Sequence, residues 1–454
     1  MARFLIAAAH KSSGKTVIST GLASALTARG DVVQCFKKGP DYIDPMWLHA
    51  ASGRPCYNLD FNTMSPIEFS ALACAKASDA DIAMIEANKG LYDGVAVDGS
   101  DSNAALAKAL KTPVILVIDC NGMTRGIAPL LIGYLAFDPD VNIAGVILNK
   151  VGGPRHEGKL RAAIAAYTDL PVIGAVPRNS ALDLGERHLG LTTPSETDEL
   201  TTRIAKIGEI VGASVDLDML FKIAETAPTV TPAALPTSNP KFAGLRIAIA
   251  RDPAFGFYYP DDLDAFTDLG ATLIPFNAFT DTHLPDADAV FIGGGFPETQ
   301  MGALSANQNL RDDIRTKLQS DLPAYAECGG LMYLCRAMIW DGTSHPMCGV
   351  VQGDAVMNAR PQGRGYVAYT ATDAHPWAAP HPSKAHEFHY ARIDNLGDDT
   401  VFARKMTRGS GINGTHDGVV VHNVVAGFCH QRNTVDNPWV ARFLQFVQDV
   451  KTSG

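Results

Sequence analysis

The sequence of 454 residues predicts an α/β protein made of two successive domains, the first built on a doubly wound parallel sheet. Three observations predict this class. Short apolar runs alternate with helical patterns in both halves, a Gly-Lys-Thr sequence directly follows the first apolar run, and a proline-rich stretch separates the halves. Alternating strand and helix signals are typical of parallel sheets covered by helices. We therefore expect one domain over 1–224, a linker over 225–241 and a second domain over 242–454.

The first apolar run, 3–9, has the length of a buried strand, and a helical pattern follows over 17–28. A strand, a loop with Gly-Lys-Thr and a helix form the context of a phosphate-binding P-loop, although Ala9 stands where the usual pattern has glycine. Loop amides and the helix N-terminus would hold phosphates, Lys15 would reach the β and γ oxygens, and Thr16 would ligate Mg²⁺. The predicted ATP-binding residues are His10, Lys11, Ser12, Ser13, Gly14, Lys15, Thr16 and Val17.

Polar residues follow two further strands of this half, 32–38 and 81–86. Ligands bind at the carboxyl ends of strands in open α/β sheets, so these residues are candidates for a site. The predicted metal ligands are Thr16, Glu86 and Asp41, with Glu86 placed like a Walker-B acid. The predicted substrate-binding residues are Asp41, Tyr42, Asp44, Lys89, Tyr92 and Asp93. Strands are also expected at 113–119, 143–149 and 172–174.

The second half starts a new strand and helix pattern at 245–251, 261–269, 272–276 and 289–292. At 323–331 an apolar strand runs into Glu-Cys-Gly-Gly and then a helical pattern, 331–338. This elbow would present Cys328 at a helix N-terminus, where a thiolate is favoured. The nearby glycine run makes Gly294, Gly295 and Gly329 candidates for an oxyanion hole. Paired strands are expected at 419–423 and 425–429, and His430 after them is the candidate base.

The composition excludes several classes of protein. The net charge of −10 argues against a nucleic-acid scaffold. Eight cysteines without a Cys-x-x-Cys pair predict neither a disulfide framework nor a zinc site. No apolar run has the length of a membrane span. We therefore expect a cytoplasmic protein without nucleic-acid or membrane partners, whose thiols stay reduced.

With these residues in view, the whole chain resembles the cobyrinic acid a,c-diamide synthase family. The C-terminal half looks like a class I glutamine amidotransferase, through the glycine run at 293–298, the elbow at 327–330 and His430. The N-terminal half looks like the dethiobiotin-synthetase-like branch of P-loop proteins, most specifically through Gly-Pro-Asp-Tyr-Ile-Asp-Pro at 39–45. The stretches 186–191 and 386–390 also match.

The resemblance implies a reaction that uses L-glutamine, ATP and Mg²⁺. Cys328 would attack the glutamine amide, with His430 as base and acid, and ammonia would be released. ATP would phosphorylate a peripheral acetate of a tetrapyrrole, and ammonia would displace the phosphate to leave a carboxamide at the a and c positions. The family lacks the usual acidic third member of the triad, so no such acid is assigned. We expect a homodimer.

Two departures leave the acceptor open. Residues 86–94 read Glu-Ala-Asn-Lys-Gly-Leu-Tyr-Asp-Gly where the family has Glu-Gly-x-Met-Gly-Leu-Phe-Asp-Gly, and His430-Gln431-Arg432 replaces His-x-His. The first departure is similar to the branch that amidates siroheme or sirohydrochlorin, and lysine would suit a carboxylate-rich acceptor. We favour that acceptor slightly over cobyrinic or hydrogenobyrinic acid. A MinD-like switch ATPase and a non-catalytic tetrapyrrole carrier are the competing classes, and neither accounts for Cys328.

Overall fold

The computed structural model describes residues 1–183, 186–187, 190–191, 200–230, 239–377 and 382–453. The chain divides into two compact units, Met1–Leu235 and Pro236–Gly454. This division falls inside the predicted linker, of which 231–238 lie outside the described residues, as do 188–189 of the predicted family stretch 186–191.

Strands and helices alternate along the first unit. Its strands are β1 (Ala2–Ala8), β2 (Val33–Lys38), β3 (Tyr57–Leu59), β4 (Ile82–Glu86), β5 (Val114–Asp119), β6 (Ile143–Val151), β7 (Val172–Pro177), β8 (Glu186–Arg187) and β9 (Gly190–Leu191). Its helices are α1 (Lys15–Arg29), α2 (Ile43–Ser52), α3 (Pro66–Lys76), α4 (Asn103–Ala109), α5 (Ile127–Phe137), α6 (Pro154–Tyr167), α7 (Leu200–Ser214) and α8 (Leu217–Glu225).

The seven long strands form one parallel sheet in the order β3-β2-β4-β1-β5-β6-β7. Side chains of β1 alternate between two cores, because successive residues of a strand point to opposite faces. Phe4 and Ile6 pack in the core that includes α1, and Leu5 and Ala7 pack in the core that includes α3. Helices thus cover both faces, which confirms the predicted doubly wound sheet. The order also places the carboxyl ends of β2, β4 and β1 side by side.

The second unit has more strands than the sequence predicted. They are β10 (Arg246–Ala250), β11 (Phe255–Phe257), β12 (Thr272–Phe276), β13 (Ala289–Ile292), β14 (Gly294–Gly295), β15 (Ala324–Glu327), β16 (Cys335–Trp340), β17 (Thr343–Pro346), β18 (Val351–Met357), β19 (Gly363–Ala371), β20 (Ser383–His389), β21 (Ala391–Asp394), β22 (Phe402–Arg408), β23 (His416–Val421) and β24 (Val424–Gly427). The helices are α9 (Pro260–Asp268), α10 (Met301–Ala306), α11 (Gln308–Gln319), α12 (Gly329–Leu334) and α13 (Trp439–Ser453).

Nine of these strands form one mixed sheet in the order β12-β10-β13-β15-β24-β23-β22-β19-β20. The first five run parallel, and the strands from β24 to β20 run antiparallel. The predicted pairing of the last two strands is confirmed by β23 and β24. Within β15 and β24, Glu327 lies opposite Gly427, so Cys328 and His430 follow neighbouring strands at the same sheet edge.

The prediction of a helix over 331–338 was wrong beyond Leu334. From Cys335 the chain is strand β16, which pairs with β17 and β18 in a separate four-stranded sheet. Ladder pairing with these two strands decides this segment, because a helical pattern of eight residues is a weak preference that tertiary contacts override. Across the described ranges of both units, no helix combines the length and the apolar character needed to cross a bilayer.

Candidate active sites

Cys328 occupies a sharp bend between β15 and α12. Its backbone has φ +49° and ψ −102°, a conformation that non-glycine residues rarely adopt. Its N–H donates to Gly427 O at 2.8 Å, which ties the bend to β24. A side chain at Gly330 would lie 2.2 Å from Ile292 O, so glycine is required for the close approach of this turn to β13. The strained bend is the elbow that the sequence predicts.

His430 lies against this thiol. Its backbone exchanges hydrogen bonds with His386, and the two imidazole rings stack with centroids 4.8 Å apart. The His430 ring is hydrogen bonded to Cys328, and its Nδ1 lies 3.4 Å from Glu327 Oε2. The structure therefore brings the predicted nucleophile and the predicted base together, and it adds a carboxylate that the sequence prediction did not include.

The surroundings set the charge of both histidines. Burial alone lowers the pKa of His430, but hydrogen bonds to Cys328 and Glu327, together with their charges, raise it to about 10. Burial, and then the charges of His430 and Arg432, hold the pKa of His386 well below its ordinary value. His430 is therefore an imidazolium at neutral pH, while His386 is neutral.

The three predicted oxyanion-hole glycines lie around this pair. A Cβ built on Gly294 would lie 2.6 Å from Cε1 of His430, and one built on Gly329 would lie 3.1 Å from the Gly295 nitrogen. The Gly295 nitrogen therefore lies close to Gly329, the residue that follows Cys328. Their role as donors to a tetrahedral intermediate stays a prediction.

We expect Gly294→Ala to lower kcat for glutamine hydrolysis by roughly 10- to 100-fold, because a shift of the base by about 1 Å has an effect of this size. The matched control is Gly302→Ala, whose Cβ would lie 3.7 Å from its nearest neighbour, an ordinary contact. Release of glutamate measures both. Equal activity of the two variants would contradict the close packing of Gly294 against His430.

In the first unit, Gly14 and Asn149 shape the predicted P-loop. Gly14 has φ +87° and is the N-cap of α1, and a Cβ there would lie 2.2 Å from Asn149 Nδ2. Asn149 donates to Ser13 O at 2.9 Å, and Ser13 Oγ donates to His10 O at 2.8 Å. The loop is thereby fixed from β6. Of the other predicted ATP-binding residues, Lys11 and Ser12 are exposed and Val17 is half-buried.

The ammonium group of Lys15 donates to Lys89 O at 2.6 Å. Burial, and then the charge of Lys37, lower the pKa of Lys15 to about 8, against the opposing pull of Glu86, Asp44 and Asp93. Lys15 is therefore charged at neutral pH. The contact joins the P-loop directly to the predicted substrate loop at 87–94.

A buried cluster lies beside Thr16. The Thr16 hydroxyl oxygen lies 2.9 Å from Glu86 Oε1 and 3.2 Å from Asp44 Oδ2, so it can donate its one proton to either carboxylate. Lys37 Nζ lies 3.0 Å and 2.5 Å from the same two oxygens. Burial opposes the charge on Lys37, but the carboxylates, Asp44 first, hold its pKa well above its ordinary value. Burial raises the pKa of Glu86. Glu86 Oε2 is buried and lacks a hydrogen-bond partner.

Asp41, the third predicted metal ligand, is held through one oxygen by the turn that begins α2. Its Oδ1 accepts the N–H groups of Ile43 and Asp44 at 2.9 and 3.1 Å, and its Oδ2 lies 3.8 Å from Lys37 Nζ. Burial, and then the charge of Asp44, raise the pKa of Asp41 to about 7. Asp44, not Asp41, contacts Thr16, since the turn at the start of α2 directs Asp41 to its own backbone. No group of three His, Cys, Asp or Glu side chains within the described ranges is arranged to hold a metal ion.

The remaining predicted substrate residues lie on or near the loop after β4. Lys89 is exposed with φ +40°, and Asp93 Oδ2 accepts the N–H of Gly90 at 2.9 Å. Tyr92 donates its hydroxyl proton to Tyr134 O at 2.6 Å and packs on that ring, so its hydroxyl serves the loop's own structure. Tyr42 is buried at the N-cap of α2.

Four residues of these sites were absent from the predicted set: Lys37, Asn149, Glu327 and His386. Lys37 and Glu327 carried a signal, because Lys37 is a charged residue near the end of an apolar strand and Glu327 directly precedes Cys328. Asn149 ends a predicted strand but gave no indication of its partner. His386 lies 44 positions from His430 along the sequence, and only the bridge between their backbones brings them together.

Comparisons with known proteins match the two units to two different domain families. Residues 4–191 match the CobQ/CobB/MinD/ParA nucleotide binding domain, and residues 246–437 match the CobB/CobQ-like glutamine amidotransferase domain. A cobyrinate a,c-diamide synthase of Magnetococcus marinus is 44% identical over 438 residues, which cover 94% of this chain and 93% of the relative.

Two further relatives bear the same description. The synthase of Listeria monocytogenes serotype 4b is 39% identical, with 95% of this chain and 96% of the relative covered. That of Methanosarcina acetivorans is also 39% identical, with 94% and 92% covered. The protein is an enzyme of the glutamine-hydrolysing ligase class. The Cys-His pair, the P-loop and this similarity over nearly the full length together establish that the chain belongs to the cobyrinate a,c-diamide synthase family.

Proposed function

We propose that this enzyme uses ATP and glutamine to amidate the a and c acetate carboxylates of a modified tetrapyrrole, with cobyrinic acid as the acceptor. The observation that carries the proposal is the similarity over nearly the full length to cobyrinate a,c-diamide synthases, which includes both units. The siroheme or sirohydrochlorin acceptor favoured from the loop sequence has less support, because these relatives are named for cobyrinate.

The glutaminase reaction follows from the state of the Cys328 and His430 pair. The Cys328 thiolate attacks the side-chain carbonyl carbon of glutamine, and a C–S bond forms. His430 donates its Nε2 proton to the leaving nitrogen as the C–N bond breaks, and ammonia departs. Water, deprotonated by His430, then attacks the thioester, the C–S bond breaks, and the thiolate and the imidazolium are restored. The product leaves as the γ-carboxylic acid, which loses its proton to solvent to give glutamate.

The amidation reaction needs activation of a carboxylate, which is a poor electrophile at neutral pH. In our proposal the acceptor carboxylate takes the γ-phosphoryl group of ATP to form an acyl phosphate. Ammonia attacks the acyl carbon, phosphate leaves, and a carboxamide remains. Lys15 carries a charge suited to the β and γ oxygens, and the Ser13 and Gly14 backbone is fixed by Asn149.

The residues beside the P-loop fit a hard cation such as Mg²⁺. Glu86 Oε2 is a buried oxygen without a partner, and the Thr16 hydroxyl lies on the other oxygen of the same carboxylate. Thr16 and Glu86, with Asp44, would hold the ion, while Oδ1 of Asp41 is taken up by its own turn. Bound there, Mg²⁺ would neutralise charge on the phosphates of ATP.

Siroheme or sirohydrochlorin is the second candidate acceptor, because Lys89 lies on the loop after β4 and Lys38 ends the neighbouring strand β2. Lys89 is exposed on it, and the Nζ of buried Lys38 donates to Asp101 O at 2.5 Å. The charge of Lys89 contributes to a lowered pKa of Lys38, after burial as the larger cause. The exposed ammonium group of Lys89 would suit an acceptor rich in free carboxylates.

A substrate panel decides between these acceptors. Cobyrinic acid, hydrogenobyrinic acid, sirohydrochlorin and siroheme are each incubated with the enzyme, ATP, Mg²⁺ and glutamine, and mass spectrometry counts the carboxylates converted to amides. We expect two conversions on cobyrinic acid. Conversion of siroheme or sirohydrochlorin alone would contradict the proposed acceptor and support the second candidate.

The homodimer also stays a prediction. Size-exclusion chromatography with light scattering gives the mass in solution, and a mass near that of one 48.3 kDa chain would contradict it.

A further inference from the structure

The carboxyl group of Glu327 is buried next to the catalytic pair without a part in the chemistry above. Glu327 is 3% exposed and directly precedes Cys328 in the chain. A buried carboxylate is unfavourable unless its oxygens are bound by donors. The contacts of its two oxygens therefore indicate what it does.

Two hydrogen-bond donors outside the Cys328 and His430 pair hold Oε1 of Glu327. Tyr325 donates its hydroxyl proton at 2.6 Å, and the backbone N–H of Gln431 donates at 2.8 Å. The other oxygen, Oε2, faces Nδ1 of His430 at 3.4 Å. One end of the carboxylate is thus fixed to the protein, and the other end is presented to the imidazole.

Further hydrogen bonds set the direction of the Tyr325 hydroxyl. Arg404 and the Gln431 side-chain amide donate to it at 3.1 and 3.0 Å, so its own proton is left for Glu327. The side-chain carbonyl oxygen of Gln431 in turn accepts the hydroxyl proton of Tyr369 at 2.7 Å. All of these side chains are nearly or fully buried. The network fixes Oε1 of Glu327 as a hydrogen-bond acceptor and leaves Oε2 directed at the imidazole.

This arrangement controls His430 in two ways. A carboxylate at Nδ1 holds the proton on that nitrogen, which leaves Nε2 as the nitrogen that can exchange the proton of the reaction with Cys328. It also stabilises the imidazolium that pairs with the thiolate. His386, which stacks on the ring, is neutral, and Arg432 nearby is paired with Asp261.

We propose that Glu327 is the positioning acid of the glutaminase site, taking the place of the triad carboxylate that the family resemblance leaves unassigned. The inference rests on the proposed roles of Cys328 and His430 and is independent of the acceptor. The proton moves between the thiol, Nε2 of His430 and the departing ammonia, and Glu327 takes no part in that transfer.

The test compares Glu327→Gln with Glu387→Gln. Glu387 is also buried in the second unit, and its two oxygens accept the N–H groups of Ser410 and Gly411. In Glu327→Gln the amide NH₂ can face Nδ1 and force the proton to Nε2. We expect kcat for glutamate release to fall roughly 100- to 10,000-fold with KM nearly unchanged, since loss of the orienting carboxylate acts through the base. Glu387→Gln should keep the wild-type kcat.

Two readouts separate positioning from mere folding. The pH profile of Cys328 alkylation by iodoacetamide should shift to higher pH in Glu327→Gln. The reason is that the His430 imidazolium, which stabilises the Cys328 thiolate, loses its carboxylate partner. Histidine ¹⁵N NMR of Cys328→Ser, with His430 assigned through a His430→Gln variant in that background, should show neutral His430 protonated on Nδ1.

Three results would overturn the proposal. They are a Glu327→Gln variant with unchanged kcat, equal losses in both glutamine variants, and a neutral His430 protonated on Nε2 in the Cys328→Ser protein. The NMR result stands even if Glu327→Gln does not fold. None of these measurements uses a tetrapyrrole, so failure of the proposed acceptor leaves them intact.

Discussion

Substitution of Cys328 by serine should abolish glutamine-driven amidation and leave ammonia-driven amidation intact. A serine hydroxyl is a far weaker nucleophile than the thiolate that His430 favours, so we expect glutamine hydrolysis to fall by at least about 10⁴-fold. High concentrations of ammonium salt bypass this step, because ammonia then reaches the activated acceptor without Cys328. Glutamate release and amide formation are measured separately for the same preparation.

Cys74→Ser is the matched control, since this half-buried cysteine lies on α3, outside both candidate sites. It should retain both activities. Glutamine-driven amidation by Cys328→Ser at the wild-type rate would show that another residue is the nucleophile. Loss of the ammonia-driven activity as well would show that the elbow is needed for more than glutamine hydrolysis.

Substitution of Lys15 by alanine should remove amidation with either nitrogen source. Lys15 is the charged donor of the P-loop, and loss of one such donor to developing charge lowers rates by about 100- to 1,000-fold. The variant also loses the hydrogen bond to Lys89 O. Glutamate release from the second unit should persist, because Cys328 and His430 are unaffected. Phosphate release and amide formation measure the first effect.

The exposed Lys159 on α6 provides the control for this loss of charge, and Lys159→Ala should behave like the wild type. Survival of either amidation activity in Lys15→Ala would contradict the role of the P-loop. Together, the two variants separate the reaction into two parts. Cys328→Ser should lose glutamine hydrolysis, which Lys15→Ala keeps, and Lys15→Ala should lose ammonia-driven amidation, which Cys328→Ser keeps.

Local sequence was sufficient for the features that depend on neighbours along the chain. Gly-Lys-Thr after an apolar run predicted β1, the loop and α1, because the strand, the turn and the helix are each encoded within a few residues. Glu-Cys-Gly-Gly predicted the elbow at Cys328 for the same reason. The helix expected beyond Leu334 was wrong, because β17 and β18 pair with that segment.

Contacts between residues that lie far apart in the sequence could not be predicted from local sequence. The carboxylate of Glu327 faces His430 because β15 and β24 are neighbours in a particular register, a pairing of residues about 100 positions apart. Asn149 reaches the P-loop from β6, and Asp44 rather than Asp41 reaches Thr16 because the turn before α2 takes up Asp41.

The sequence by itself therefore determined the two α/β units, the nucleophile elbow, the P-loop and the family. Tertiary structure alone decided which charged groups meet. It placed Lys37 among carboxylates, bound Lys15 to the Lys89 backbone, and set Glu327 behind His430. The physical reason is that a motif's conformation is fixed by short-range sterics, whereas the charge and orientation of a buried side chain depend on strand order and register.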